Sequence, residues 1–215
     1  MADAPTRVVL VRHGEANAFT EQFIAGHKSC SGLSELGKRQ AAALRDRLTR
    51  TGELGQVDVL YASLMERAAE TARIIAPALG GLDIAQDCGV CEIHPGEEVD
   101  GMGWEEFKEK YPWGVGVRDP YQRWSPGGES WAEFATRTGT RLTELAVEHE
   151  GQTVVIACHG GVIESSFSTF GRTGMRQLSM QAENTSMTEW QRTSPTDPWV
   201  LVRYNDAAHL ADLPS

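Results

Sequence analysis

Two histidines occupy equivalent places in this chain. His13 closes the stretch Val8-Val9-Leu10-Val11-Arg12, and His159 closes Val154-Val155-Ile156-Ala157-Cys158; Gly14 and the pair Gly160-Gly161 follow them directly. An apolar, β-branched run of this length reads as a strand buried on both faces, and ligands of α/β sheets bind beyond the carboxyl ends of such strands. The two imidazoles are therefore expected to face one crevice. Arg12 adds a planar, permanently charged donor beside the first of them, and the glycines let the backbone turn sharply and approach a ligand closely. Paired imidazoles with an arginine at a sheet edge predict chemistry on an anion.

The rest of the chain supplies elements that could position this pair. A first strand is expected from about Arg7 to Val11. After a polar loop, a helix capped by Ser34 carries the apolar stripe Leu36, Ala43, Leu44 and Leu48 and stops at Gly52 to Gly55. A strand over Val57 to Tyr61, an amphipathic helix from Leu64 to about Pro77 and a short strand over Leu82 to Ala85 follow. From about Pro95 to Glu129 the pattern breaks into Gly, Pro, Trp and charge, with one short helical piece from Trp104 to Tyr111. A stretch this long with little regular structure reads as a functional lid, and its Trp104, Trp113 and Trp124 argue for packing. Order resumes with a helix capped by Ser130, with Glu133 at the capping-box position. The strand Thr153 to Cys158 comes next, then a helix beginning near Gly161, a strand over Ser186 to Gln191 and a last strand in Trp199 to Tyr204. The expected fold is an α/β three-layer sandwich with a mostly parallel central sheet, helices on both faces and a lid over the carboxyl ends of the strands. It forms a single domain, 1–215, with the lid inserted at about 95–129.

Composition narrows the function classes. A chain of 215 residues is long enough for one sizeable α/β core. Its net charge of −10 repels nucleic-acid phosphate and anionic membrane surface, and no Lys/Arg run compensates, so any anionic ligand needs a local positive pocket. No stretch has the length of a membrane span, and the short apolar run near the N-terminus lacks a cleavage signal, which points to a cytoplasmic protein. The four cysteines form no disulfide framework. Cys88-Gly89-Val90-Cys91 has no second Cys/His pair at finger-like spacing, so the cysteines read as reduced thiols with no metal.

Five blocks then resemble one family. Leu10-Val11-Arg12-His13-Gly14-Glu15, Leu33-Ser34-Glu35-Leu36-Gly37, Ser63-x-x-x-Arg67-Ala68-x-x-Thr71-Ala72, Gly127-Gly128-Glu129-Ser130 and His159-Gly160-Gly161 occur in order and resemble the histidine phosphatase (phosphoglycerate mutase-like) superfamily. The resemblance implies phosphoryl transfer through a phosphohistidine on His13. Arg12, Arg67 and His159 would hold the phosphoryl oxygens, and a carboxylic acid near the start of the lid would protonate the leaving alkoxide. Glu92 stands at the matching Glu-Ile-x-x-Gly spacing; Glu97 and Glu98 are alternatives because the family's usual continuation is displaced here. Gly160, Asn17 and Ser31 are carried over as substrate-binding positions, although Phe19 stands where the family commonly has asparagine. Glu15 is either an orienting group or a surface carboxylate.

Charge also separates the reactions that the family covers. A mutase must hold a phosphorylated acid through cationic lid contacts, whereas this lid sets Lys108, Lys110, Arg118 and Arg123 against Asp100, Glu105, Glu106, Glu109, Asp119 and Glu129. Water is the expected acceptor. The chain is thus read as a metal-independent phosphatase without a cofactor, acting on a small phosphate ester as a monomer or homodimer. The alternatives are a phosphoglycerate-type mutase and a non-catalytic regulator that binds phospho-ligands.

Overall fold

The computed structural model describes residues 4–112, 119–174 and 180–213. Six strands form one sheet: β1 (Thr6–Arg12), β2 (Val59–Ala62), β3 (Ile84–Gln86), β4 (Thr153–Cys158), β5 (Met187–Arg192) and β6 (Val200–Asp206), in the order β3-β2-β4-β1-β5-β6. The helices are α1 (Asn17–Thr20), α2 (Glu35–Thr51), α3 (Glu66–Ile75), α4 (Trp104–Lys110), α5 (Trp131–Glu148) and α6 (Gly160–Thr169). β1 pairs in parallel with β4, β4 with β2, and β2 with β3, whereas β5 runs antiparallel to both β1 and β6. The sheet is therefore mixed. Only β5 is reversed, so β1, β2, β3 and β4 end at the same edge.

Alternation within the two central strands builds the layers. Val8, Leu10, Val154, Ile156 and Cys158 face α5 and α6, meeting Phe134, Leu142, Leu145, Val162, Ile163 and Phe167. Val9, Val11, Val155 and Ala157 face α2 and α3, meeting Leu44, Leu48, Ala72 and Ile75. Both faces of β1 and β4 are dry, which explains why these strands read as unbroken apolar runs. Removing the fully buried Phe134 ring would cost about 3–5 kcal/mol.

Helix starts follow the sequence closely. Ser34 accepts from the Gly37 N–H, and Ser130 and Glu133 close the expected capping box. Most element ends shift by one or two residues. β2 and β3 each begin two residues later than expected, and α3 begins at Glu66 because Leu64 and Met65 form the turn that leads into it.

The lid is less independent than its sequence suggests. Ile24, from the loop after β1, packs with Val99, Phe107 and Tyr111 in a small apolar cluster that Met102, Trp104 and Trp124 extend. The Asp100 carboxylate accepts from the backbone N–H groups of Gly26, Lys28 and Ser29 and from the Ser29 hydroxyl. Burial opposes ionisation of Asp100, but these bonds outweigh it and hold its pKa below the ordinary value. The expected Trp113 and Arg118 lie outside the described residues. No described helix is long and apolar enough to cross a membrane.

Candidate active site

The shared strand edge delivers the predicted residues from four segments. Arg12 ends β1 and His13 follows it, His159 directly follows β4, Arg67 sits in the first turn of α3 after β2, and Glu92 lies beyond β3. His13 and His159 lie edge to face with ring centroids 5.1 Å apart, 8% and 0% exposed. His13 Nδ1 lies 2.6 Å from the Gly14 carbonyl oxygen, which can only accept, so Nδ1 carries the proton. Its Nε2 lone pair receives the Arg67 Nε–H at 3.1 Å. Burial pushes the pKa of His13 well below the ordinary histidine value, and the charges of Arg67 and Arg12 push it further. The ring is neutral at pH 7, with a defined tautomer and a lone pair on Nε2.

The surrounding donors are fixed by backbone. Arg67, 6% exposed, also reaches the Ala25 carbonyl at 3.2 Å and the Cys30 sulfur at 3.3 Å. Arg12 Nη1 donates to the Ala182 carbonyl, while its Nε is buried with no partner among the described residues. His159 Nε2 meets Ser63 Oγ at 2.8 Å, and its Nδ1 is likewise buried without a partner. Burial pulls both His159 and Arg12 below their ordinary pKa values. A buried polar atom without a partner costs about 1–3 kcal/mol. Two of them, in side chains electrostatically coupled to His13 and Arg67, make a set of groups suited to an anion.

Glu92 stands across this set. Its carboxylate accepts from the Gly161 N–H at 3.1 Å, in the first turn of α6, and from the Ile93 N–H at 3.0 Å. His13, Arg67 and Glu92 line one cavity of about 210 Å³ with apolar walls that include Phe19, Phe23, Ile24, Trp104 and Trp124. The structure does not bring the alternatives there: Glu97 is exposed and pairs with Lys28, and Glu98 pairs with Lys110. Asn17 and Ser31 meet each other at 3.4 Å and do not line the cavity. Gly160 and Arg12 line a separate groove of about 580 Å³ with Ala182 and Asn184.

Several further groups position these side chains. Ser63 and Thr71 belong to the block that carries Arg67. Thr71 Oγ1 accepts from the Gly14 N–H at 3.1 Å and donates to the Arg67 carbonyl at 2.7 Å, tying the His13 loop to α3. Asn184, in the turn before β5, donates to the His13 carbonyl at 3.0 Å. Glu15 accepts from Ser34 Oγ at 2.7 Å, which makes it an orienting group of the α2 cap. Gly14 and Gly37 interlock: a methyl on Gly14 would lie 2.5 Å from the Gly37 carbonyl oxygen, and one on Gly37 would lie 2.0 Å from that of Glu15. Phe19, Phe23 and Ile24 were legible only as apolar residues in an otherwise polar loop.

A family model described as the histidine phosphatase superfamily (branch 1) matches residues 8–207. Phosphoglycerate mutase-like protein 4 of Arabidopsis thaliana is 30% identical over 214 residues, covering 95% of this chain and 87% of that protein. The metal-independent phosphoserine phosphatase of the same species is 28% identical over 212 residues, covering 97% and 84%. Among solved structures, Bacillus stearothermophilus YhfR matches with a TM-score of 0.80 and 26% identity over 95% of this chain and 98% of that one.

Proposed function

The chain belongs to the histidine phosphatase superfamily, branch 1, and we propose that it hydrolyses small organic phosphomonoesters through a phosphohistidine on His13, without a metal at the reacting centre. The observation that carries this reading is the pair of buried donors, Arg12 Nε and His159 Nδ1, left without partners among the described residues next to a neutral His13 held by Arg67. Ser63 Oγ accepts from the Met65 N–H at 3.1 Å, and giving its own proton to His159 Nε2 leaves His159 Nδ1 protonated as a phosphate donor.

In this mechanism the phosphoryl oxygens draw the Arg67 guanidinium away from His13 Nε2, whose lone pair attacks phosphorus. The P–N bond forms as the P–O bond to the leaving group breaks, and the Glu92 carboxylic acid gives its proton to the departing alkoxide. Water then attacks the phosphohistidine, Glu92 takes one of its protons, and the P–N bond breaks to restore neutral His13 and release phosphate. Arg12, Arg67 and His159 hold charge that spreads over the equatorial oxygens during both steps.

The lid favours hydrolysis over a mutase. Lys108, Lys110 and Arg123 pair with Glu105, Glu98 and Glu133, and none of them lines the cavity beside His13. Among the described residues lining that cavity Arg67 is the one cation, and it is already assigned to the phosphoryl group, so a second acidic group on the substrate would find no cation left. The aromatic walls suit an apolar leaving group better than the charged one of phosphoserine.

The test is turnover of p-nitrophenyl phosphate and a panel of alkyl and aryl phosphomonoesters, with and without chelator, comparing wild type with His13→Ala. Chelator-resistant turnover that is lost in the variant, with an acid-labile and base-stable phosphoenzyme in wild type, is the expected result. Folded wild-type protein that binds inorganic phosphate yet turns over no ester would overturn the reading.

A further inference from the structure

We infer that His27, Cys88, Cys91 and His94 form a site for a zinc-class divalent metal ion, one that staples the loop after β1 to the start of the lid. The ligands come from two stretches of chain, 61 residues apart at their nearest, which is why Cys88-x-x-Cys91 showed no partner pair at finger-like spacing in the sequence. The two thiols flank a short 3-10 turn, Cys88–Val90, that ends the crossover from β3. His94 lies three residues beyond Cys91, and the loop after β1 folds across to bring in His27.

The separations of the ligand atoms carry the inference. His27 Nε2 lies 3.0 Å from His94 Nε2, and Cys88 Sγ lies 3.6 Å from the first and 3.7 Å from the second. His27, Cys88 and Cys91 each offer a ligand atom within 4.8 Å of the other two. Around a tetrahedral zinc ion with Zn–N of about 2.0–2.1 Å and Zn–S of about 2.3 Å, neighbouring nitrogens stand roughly 3.3 Å apart and a nitrogen and a sulfur roughly 3.6 Å apart. The three spacings among His27, Cys88 and His94 are within a few tenths of an ångström of these, and Cys91 Sγ, within 4.8 Å of His27 and Cys88, is the ligand that would have to close in on the ion. All four cysteines of the chain are free, so the thiols are available as ligands.

The backbone that carries each ligand is held independently. Arg137 donates to the carbonyls of Cys88, Gly89, Cys91 and Glu92, and the Asp87 side chain accepts from the Gly89 N–H. Asp100 clamps the N–H groups of Gly26 and Lys28, the two neighbours of His27. Glu129 accepts from the His94 N–H, and the same oxygen lies 4.0 Å from His94 Nδ1. That arrangement places a carboxylate behind the histidine while Nε2 faces the cluster, a common outer-shell pattern at metal sites. A cavity of about 210 Å³, bordered by His27, His94, Pro95 and Glu97, gives a way in from solvent. Packing alone explains the fully buried Cys91, yet it offers no reason for an exposed His27 to converge on a half-buried Cys88.

Two thiolates and two neutral imidazoles would balance the charge of a divalent ion. The site makes no use of His13, Arg12, Arg67 or His159, so its role is positional. Glu92 lies between the ligands Cys91 and His94, and Arg67 donates to the Ala25 carbonyl in the loop that carries His27. Occupancy therefore ties down both rims of the phosphatase cavity without entering it.

The experiment titrates reduced, chelator-stripped full-length protein with Zn²⁺ and with Co²⁺, and repeats both titrations on a Cys88→Ser/His27→Ala variant whose folding is checked by circular dichroism. The expected result is one ion per chain, a tetrahedral cobalt spectrum with a thiolate charge-transfer band, a rise in Tm with Zn²⁺, and at least about a hundredfold weaker binding in the variant. Equal affinity in the two proteins, an octahedral cobalt spectrum without that band, or no binding by the fully reduced wild type would each overturn it. These readouts do not depend on catalysis, so they stand apart from the phosphatase reading.

Discussion

The floor of the cavity and its lid are built by different means. On the floor, His13, Arg67 and His159 are held at a strand edge or in a first helical turn, at most 8% exposed, by hydrogen bonds and by the interlocked Gly14 and Gly37. Over it, the lid rests on one small aromatic cluster, on the bonds that Asp100 accepts and on surface ion pairs worth about 0–1 kcal/mol each. Phosphoryl chemistry needs fixed charges and a defined proton, which a two-faced sheet core can supply. Choice of leaving group needs only shape and apolar area, which a thinly anchored lid can supply and change. On the proposed function, reaction and selection reside in separate parts of this molecule.

Changes to the floor should lower rate, and changes to the lid should alter preference. Glu92→Gln should reduce kcat by roughly 10²–10⁴ on alkyl phosphates and much less on p-nitrophenyl phosphate, whose leaving group needs little proton assistance. Equal losses on both esters, measured by steady-state kinetics, would remove Glu92 from the proton-donor role. Arg67→Lys keeps the charge but loses the planar fork that reaches both His13 and the Ala25 carbonyl, so kcat/KM should fall on the order of 10²–10³ for every ester alike. Trp124→Ala, in the lid, should raise KM about tenfold for aryl esters, as expected for losing 1–2 kcal/mol of apolar contact, while inhibition by inorganic phosphate is unchanged. A comparable loss of phosphate inhibition in that variant would break the division between floor and lid.

The smallest effect is on stability. The pKa values of His13 and His159 are pushed well below the ordinary histidine value, by burial first and then by the neighbouring charges. As pH falls below about 6.5, the unfolded chain takes up protons that the folded chain refuses, so stability drops, whereas above about pH 7 these two groups leave it flat. Tm measured from pH 8 to pH 5 should decline only on the acid side, and less steeply in His159→Asn.

Legibility followed the same division. The strands beneath His13 and His159 were readable because burial on both faces enforces an unbroken apolar run, and the caps at Ser34 and Ser130 were readable because orphan helix N–H groups demand particular side chains at fixed offsets. Arg67 was readable through its block; alone on a helix between Glu66 and Glu70 it looks like a solvated residue. The contribution of the loop after β1 was not readable. Phe19, Phe23 and Ile24 have no helix or strand period to betray a buried face, and the contact of Asp100 with Gly26, Lys28 and Ser29 joins residues more than 70 positions apart. Spacing favoured Glu92 over Glu97 and Glu98 without excluding them, and the structure separates the three by placing Glu92 in the cavity against the Gly161 N–H while the other two pair with lysines outside it.

The interlocked glycines have a consequence for how the molecule comes into being. The loop bearing His13 leaves β1 and takes its shape against Gly37 in α2, whose first turn is capped by Ser34, itself bonded to Glu15. Until α2 has docked, nothing on the α2 side defines where the His13 ring points. Recovery of activity during refolding should then report the seating of one helix, and a chain that has gained its sheet but not that contact should be silent.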